Sequence, residues 1–319
     1  MVVLVYLSRS KQAALEVNQT TVTTIVLLGF QNLRSFKVAI FILLFLAYIV
    51  TICGNFLIIL LVSCSKTLRH PMYFFISQLS VADVMLSADI VPNMLKTFLE
   101  EHVQMSLTGC LTQFFFFGAA ETSECLLLMV MSFDRYLAIC NPLRYNSIMD
   151  LVLSLKLVLI CWLLTIAMFI LTATKICNLH FCRRVINHLF CDLFPLLDLS
   201  CSDTSVVQME IFLLCVPVVV LPSLVIVISY IYITLTILRI PTGTGKQKAF
   251  STCSSHLTVV VIYYGSLMAI YFVPSKGQSL VLSKVLSLLY TVVTPLLNPI
   301  IYSLRNKDIQ KALEKLAKI

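Results

Sequence analysis

Four carboxyls and one guanidinium stand inside stretches otherwise apolar enough to lie in lipid: Asp83, Glu121, Glu124, Asp134 and Arg135. An ionised group at the bilayer centre costs on the order of 3 kcal/mol even on insertion scales, so a role in function is the default reading. Glu121 and Glu124 are three residues apart, which puts them on neighbouring parts of one helical face. Two carboxyls sharing a dry cavity repel each other or hold a cation between them. Asp134 and Arg135 close their apolar run, and taken locally the pair reads as an interfacial anchor, snorkelling or paired. Other chemistries fit less well. No nucleophile and base share a supporting spacing, which speaks against an enzyme. Gly243-Thr244-Gly245-Lys246 is not a phosphate loop, because Ile240 stands where the first glycine is required. His180, Cys182, His188 and Cys191 have metal-like spacing, but thiols facing an oxidising compartment pair instead, and no metal is expected.

The elements that must position these groups are membrane helices. A chain of 319 residues with 59% apolar and only 12% charged residues is far from the roughly one-quarter charged composition of soluble domains. Spans need about 20 apolar residues, and seven fit: roughly 38–62, 72–95, 107–135, 154–174, 206–238, 247–272 and 281–303. The expected fold is an all-α seven-helix membrane bundle with an N-terminal segment 1–37, a membrane domain 38–303 and a tail 304–319. No internal repeat is visible, which weighs against transporters built from inverted halves. The net charge of +8 resides in connections and tail and points to lipid headgroups and a cytosolic partner, not nucleic acid. No removable signal precedes the first span, which is expected to serve as its own insertion signal. The sequon at Asn18 marks a glycosylation candidate and an extracellular N-terminus, leaving the C-terminus cytoplasmic. The charge bias is weak, with thirteen of the 23 Lys and Arg on the cytosolic side and ten outside.

Small devices recur along the spans. Gly54-Asn55 offers close approach and an amide at depth. Pro71 opens the second helix at N1, and Pro217 and Pro222 should bend the fifth. Pro295 and Pro299 free carbonyls in the seventh, which Asn298 is expected to help satisfy. After Asn306 as a cap, Ile309, Ala312, Leu313, Leu316 and Ala317 form an apolar face beside Lys307, Lys311 and Lys315, the pattern of a helix lying on headgroups.

The run Met131 to Cys140 with Asn141-Pro142-Leu143-Arg144-Tyr145 resembles the olfactory (odorant) receptor family of rhodopsin-like G-protein-coupled receptors. So do Leu68 to Phe75, Leu79 to Asp83, Ser229-Tyr230, Lys248 to Leu257 and Pro295 to Asn306. Tyr263-Tyr264-Gly265 replaces the Trp-x-Pro of many other receptors and narrows the resemblance to the odorant branch. The resemblance implies a G-protein switch at Asp134, Arg135 and Tyr136 with relays at Tyr230, His256 and Tyr302. It implies disulfides Cys110–Cys191 and Cys182–Cys201, which sequence alone leaves as one of three connectivities. Glu124 matches a family acid facing Asp83, and with Asn55 and Asn298 these define a polar centre able to take Na⁺ or a proton plus water. Glu121 lies outside the family motif.

By family analogy the ligand, a small and mostly apolar volatile, sits between the third, fifth, sixth and seventh helices under the second extracellular loop. The expected lining is Phe117, Gly118, Glu121, Thr122, Leu214, Val218, Leu267, Met268 and Tyr271, each of which could equally be ordinary packing. The implied partners are an odorant, an olfactory Gs-type G protein that raises cAMP, and lipid. A channel or transporter would need flux without G protein, and a receptor for an endogenous metabolite would share every motif.

Overall fold

The computed structural model describes residues 22–30, 36–100, 102–239, 243–272 and 280–316; Asn18 lies outside them. Seven long helices follow in order. They are α1 (Lys37–Cys64), α2 (Pro71–Leu99), α3 (Leu107–Cys140), α4 (Leu151–Cys177), α5 (Ser205–Leu238), α6 (Gly243–Phe272) and α7 (residues 280–305). A short helix, α8 (Lys307–Leu316), comes last. Six of the seven are long and apolar enough to cross a membrane. Among the described residues, α6 contributes the shorter apolar stretch His256–Ile270.

Burial ranks the helices. The apolar window of α3 is 83% buried, whereas those of α1, α4 and α5 are 22% buried, so α3 is the central column and the others present outer faces. Those faces expose large apolar side chains such as Leu43, Leu163 and Phe212, an arrangement that only lipid makes favourable. Capping follows the sequence. Ser106 Oγ accepts from Gly109 N–H at 3.0 Å at the start of α3, and Asp150 Oδ1 from Leu153 N–H at 2.7 Å at the start of α4. Asn306 Oδ1 accepts from Asp308 and Ile309 N–H, opening α8 with Ile309 and Ala312 buried.

The prolines act through π-turns. Val216–Val220 in α5 precedes Pro222, and Leu289–Val293 in α7 precedes Pro295, each a wider turn that absorbs a missing N–H. Gly54 of α1 meets Pro299 of α7: a Cβ on Gly54 would stand 2.9 Å from Pro299 Cβ.

The end of the bundle that carries the long loop before α5 holds a feature no span pattern foretells. Strand β1 (Thr24–Leu27) lies between β2 (Val103–Ser106), antiparallel with Thr24 opposite Ser106, and β3 (Val185–Ile186), parallel with Val26 opposite Val185. Ile25 and Leu27 turn inward and are fully buried, while Thr24 is exposed, the period-2 alternation of a half-buried strand. Lys284 Nζ fastens this cap to α7, donating to Leu28 O at 3.2 Å, Gly29 O at 2.9 Å and Asn187 Oδ1 at 2.7 Å.

Gly54→Val is expected to destabilise by about 1–3 kcal/mol through overpacking against Pro299. A lowered thermal midpoint of the detergent-solubilised protein would register it, and an unchanged midpoint would mean that α1 and α7 do not cross closely there.

Candidate functional site

The polar centre is built from backbone necessity. Pro299 has no N–H, so the carbonyl of Pro295 one turn earlier loses its helical partner. Asn55 Nδ2 reaches across from α1 to supply it at 3.1 Å, and also donates to Thr51 O at 3.0 Å. Asn298, expected to serve that carbonyl, instead donates to both oxygens of Asp83, at 3.0 and 2.9 Å. The freed carbonyl lies on the α1 side of α7, so the neighbour and not the local amide reaches it. Glu124 stands beside Asp83, near enough for the two carboxyls to share a hydrogen bond when one of them is protonated, and its buried oxygens have no other partner among the described residues. Ser87 Oγ, Ser123 Oγ, Asn55 Oδ1 and Asn298 Oδ1 are buried and unpartnered as well.

Beside the loop before α5 lies a cavity of about 100 Å³ lined by that loop, α3, α4, α5 and one residue of α6. Phe117, Gly118, Glu121, Thr122, Leu214, Val218 and Leu267 line it. Met268 does not: it is 39% exposed and borders a separate groove on the outer face between α5 and α6. The side chain of Tyr271 lies outside the described residues. The position also differs from the expected one, since α4 contributes Met168, Phe169 and Thr172 while α7 contributes none. The cause is Gly118, whose missing Cβ admits the Phe169 ring from α4 against α3. On the other side Tyr290 of α7 is fully buried beside Phe117, filling the space a ligand would need there.

The loop between α4 and α5 covers the cavity. Cys110 of α3 is bonded to Cys191, and Cys182 to Cys201. With these thiols committed, the metal-like His and Cys spacing holds no metal set. Gln113 seats the loop by accepting from Cys191 N–H and donating to Asp89 O, both at 3.0 Å. Asp192, next to Cys191, lines the cavity. Burial pushes its carboxyl above the usual carboxylate range and pushes the His188 imidazole below its ordinary value.

At the opposite end of α3 Arg135 Nε donates to Asp134 Oδ2 at 3.1 Å, and its Nη2 bonds the same oxygen. Tyr145, on the short helix Pro142–Ile148, donates to Asp134 Oδ1 at 2.7 Å. Tyr136 meets Tyr232 of α5 edge to face. Tyr230 Oη and His256 Nδ1 lie 2.7 Å apart, joining α5 to α6, whereas the buried Tyr302 hydroxyl has no partner.

Three sets of residues escaped the sequence reading. Tyr263 and Tyr264 donate to the backbone carbonyls of Glu121 and Cys125, bolting α6 to α3 just below the cavity. Tyr73 Oη donates to Asp308 Oδ2 at 2.9 Å and ties α2 to α8. Asp192 is the third. The available signal for the tyrosines was chemical: a phenol at membrane depth needs an acceptor.

A seven-helix bundle with a covered cavity at one end of its central helix and an Asp-Arg pair at the other defines a rhodopsin-like G-protein-coupled receptor. The family model for olfactory receptors matches residues 44–318. Human olfactory receptor 11L1 is 43% identical over 299 residues, with 93% of each chain covered. Rat olfactory receptor 287 is 44% identical over 94% of this chain and 97% of its own, and human olfactory receptor 6Y1 is 45% identical over 94% and 93%. The chain belongs to the olfactory receptor family. It is a multi-pass plasma-membrane receptor and not an enzyme; membership implies small odorant ligands and G-protein partners.

Asn298→Ala removes both hydrogen bonds to the Asp83 carboxyl and is expected to cost about 1.5–3 kcal/mol. Glu124→Gln, at a carboxyl whose oxygens have no partner besides Asp83, should cost less. Thermal unfolding in sodium-free detergent separates the two, and equal losses would overturn this account of the centre.

Proposed function

We propose that this receptor binds a small, mostly apolar volatile in the cavity under the disulfide-pinned loop and activates an olfactory Gs-type G protein, raising cAMP. One observation carries the reading. The cavity residue Glu121 and the cytoplasmic Arg135 lie on the same central helix, fourteen residues or roughly 21 Å apart at 1.5 Å per residue. Tyr263 and Tyr264 couple α6 to α3 at that level, so a ligand that reshapes the cavity loads the α3–α6 contact directly. Lower on α6, His256 sits against Tyr230. In the proposed cycle the ligand favours outward movement of α6, and Arg135 leaves Asp134 to meet the G protein, with Tyr136 and Tyr302 completing the relay. The shift can be no larger than the ligand's differential affinity for the two states.

The proposed orientation places the N-terminus with its sequon Asn18 outside and the tail inside. The two disulfides at one end suit the oxidising side, and α8 with exposed Lys311 and Lys315 suits anionic headgroups. The donor set of the polar centre fits Na⁺: hard oxygens from Asp83 and Glu124, with Ser87 one turn beyond Asp83. A bound Na⁺ would supply counter-charge to these two acids.

Arg135→Ala is expected to reach the surface normally and lose ligand-dependent cAMP in a reporter cell; normal signalling by that variant would sink the switch. Sodium should raise the thermal midpoint of the wild-type receptor but not that of Glu124→Gln. Equal sodium effects on both would remove the ion from the centre.

A further inference from the structure

We infer that the cavity takes a small protonated amine, its ammonium held between Glu121 and Asp192 and its apolar body against Phe117, Val218 and Leu267. The inference rests on the cavity being the ligand site. The described lining carries two carboxyl side chains and no Lys, Arg or His, and its remaining residues are apolar apart from Thr122 and Thr172. Glu121 is 8% exposed, and its Oε1 is buried with no hydrogen-bond partner. Its backbone is pinned, because its carbonyl accepts from Tyr263. Asp192 is 7% exposed and spends Oδ1 on Leu193 N–H at 2.7 Å. The two acids are near enough to act on one another electrostatically.

A carboxyl pair in an enclosed apolar space is relieved either by protonation or by a cation that brings donors, and an ammonium is the ligand group that supplies both charge and donors. Among the described residues no cation of the protein lines the cavity to supply them. His188, the basic group that Asp192 feels, pairs through Nε2 with Ser287, and burial keeps it on the neutral side. Lys284 is committed to Leu28, Gly29 and Asn187. An alkylammonium supplies one charge and up to three N–H donors, whereas an alcohol supplies a single donor and no charge. With a pKa near that of lysine, about 10.4, such an amine is protonated at neutral pH. Low local dielectric strengthens the attraction that the partly desolvated ion needs. Size sets the remainder: the cavity is about 100 Å³, and an apolar cavity of about 150 Å³ takes a benzene. This cavity is smaller, so the body is a short chain, with a six-membered ring as the upper limit to be tested.

The test uses isosteric pairs, cyclohexylamine with cyclohexanol and pentylamine with pentanol, on the full-length receptor. A G-protein reporter gives one readout, and thermal stabilisation of purified receptor gives a second that needs no signalling. The expected result is that amines act at concentrations at least tenfold below their alcohols. Glu121→Gln should lose at least tenfold in amine potency, and Asp192→Asn should lose less, with surface levels kept. Stabilisation by amine that Glu121→Gln abolishes supports the site even without a reporter signal. If alcohols or other neutral volatiles activate and amines do not, the amine inference falls while the odorant-receptor reading stands. Amines acting equally on wild type and Glu121→Gln, or producing neither signal nor stabilisation, overturn it too.

Discussion

Inside lipid, a backbone or side-chain polar group has only the protein to bond to, and much of this structure follows from that constraint. Pro299 breaks the hydrogen-bond ladder of α7, and the carbonyl it frees is answered by Asn55 from α1. That bond requires the two helices to approach closely, which Gly54 permits by having no Cβ. Asn298, released from local duty, turns to Asp83 on α2. One proline-linked defect and the asparagine beside it thus become the ties that hold α1, α2 and α7 together.

The same constraint makes α3 the organising column. Its polar residues face inward at several levels: Gln113 under the loop, Glu121 in the cavity, Glu124 beside Asp83 and Asp134 toward its C-terminal end. Its carbonyls at Glu121 and Cys125 take the phenols of α6. A helix that carries both a cavity wall and the Asp134–Arg135 pair spans the distance between them on one continuous backbone.

The helices and the identity of the polar groups were legible early because hydropathy and charge are local properties. The span limits expected from composition fall within a few residues of the helices at most ends. The cavity was less legible. Phe117, Gly118, Glu121 and Thr122 share a face of α3, which periodicity shows, but whether α4 or α7 closes that face depends on Gly118 admitting Phe169 and on Tyr290 filling the opposite side. Met268 illustrates the limit, since it lies next to Leu267 yet faces the outer groove. The β1 strand was also missed, because a four-residue alternating segment gains its meaning from partners about 80 and 160 residues away.

By itself the sequence determined that this is a membrane helix bundle, which carboxyls lie at depth, and through its motifs the family to which it belongs. Those conclusions need only nearest-neighbour information: apolar run length, residue type and the order of short strings. Tertiary structure alone decided which asparagine serves which partner and which helices enclose the cavity. It also decided that Glu121 and Asp192, 71 positions apart, face one space. The physical reason is that hydrogen bonds and cavities are properties of three-dimensional proximity, and a helix face specifies a direction without naming what lies there.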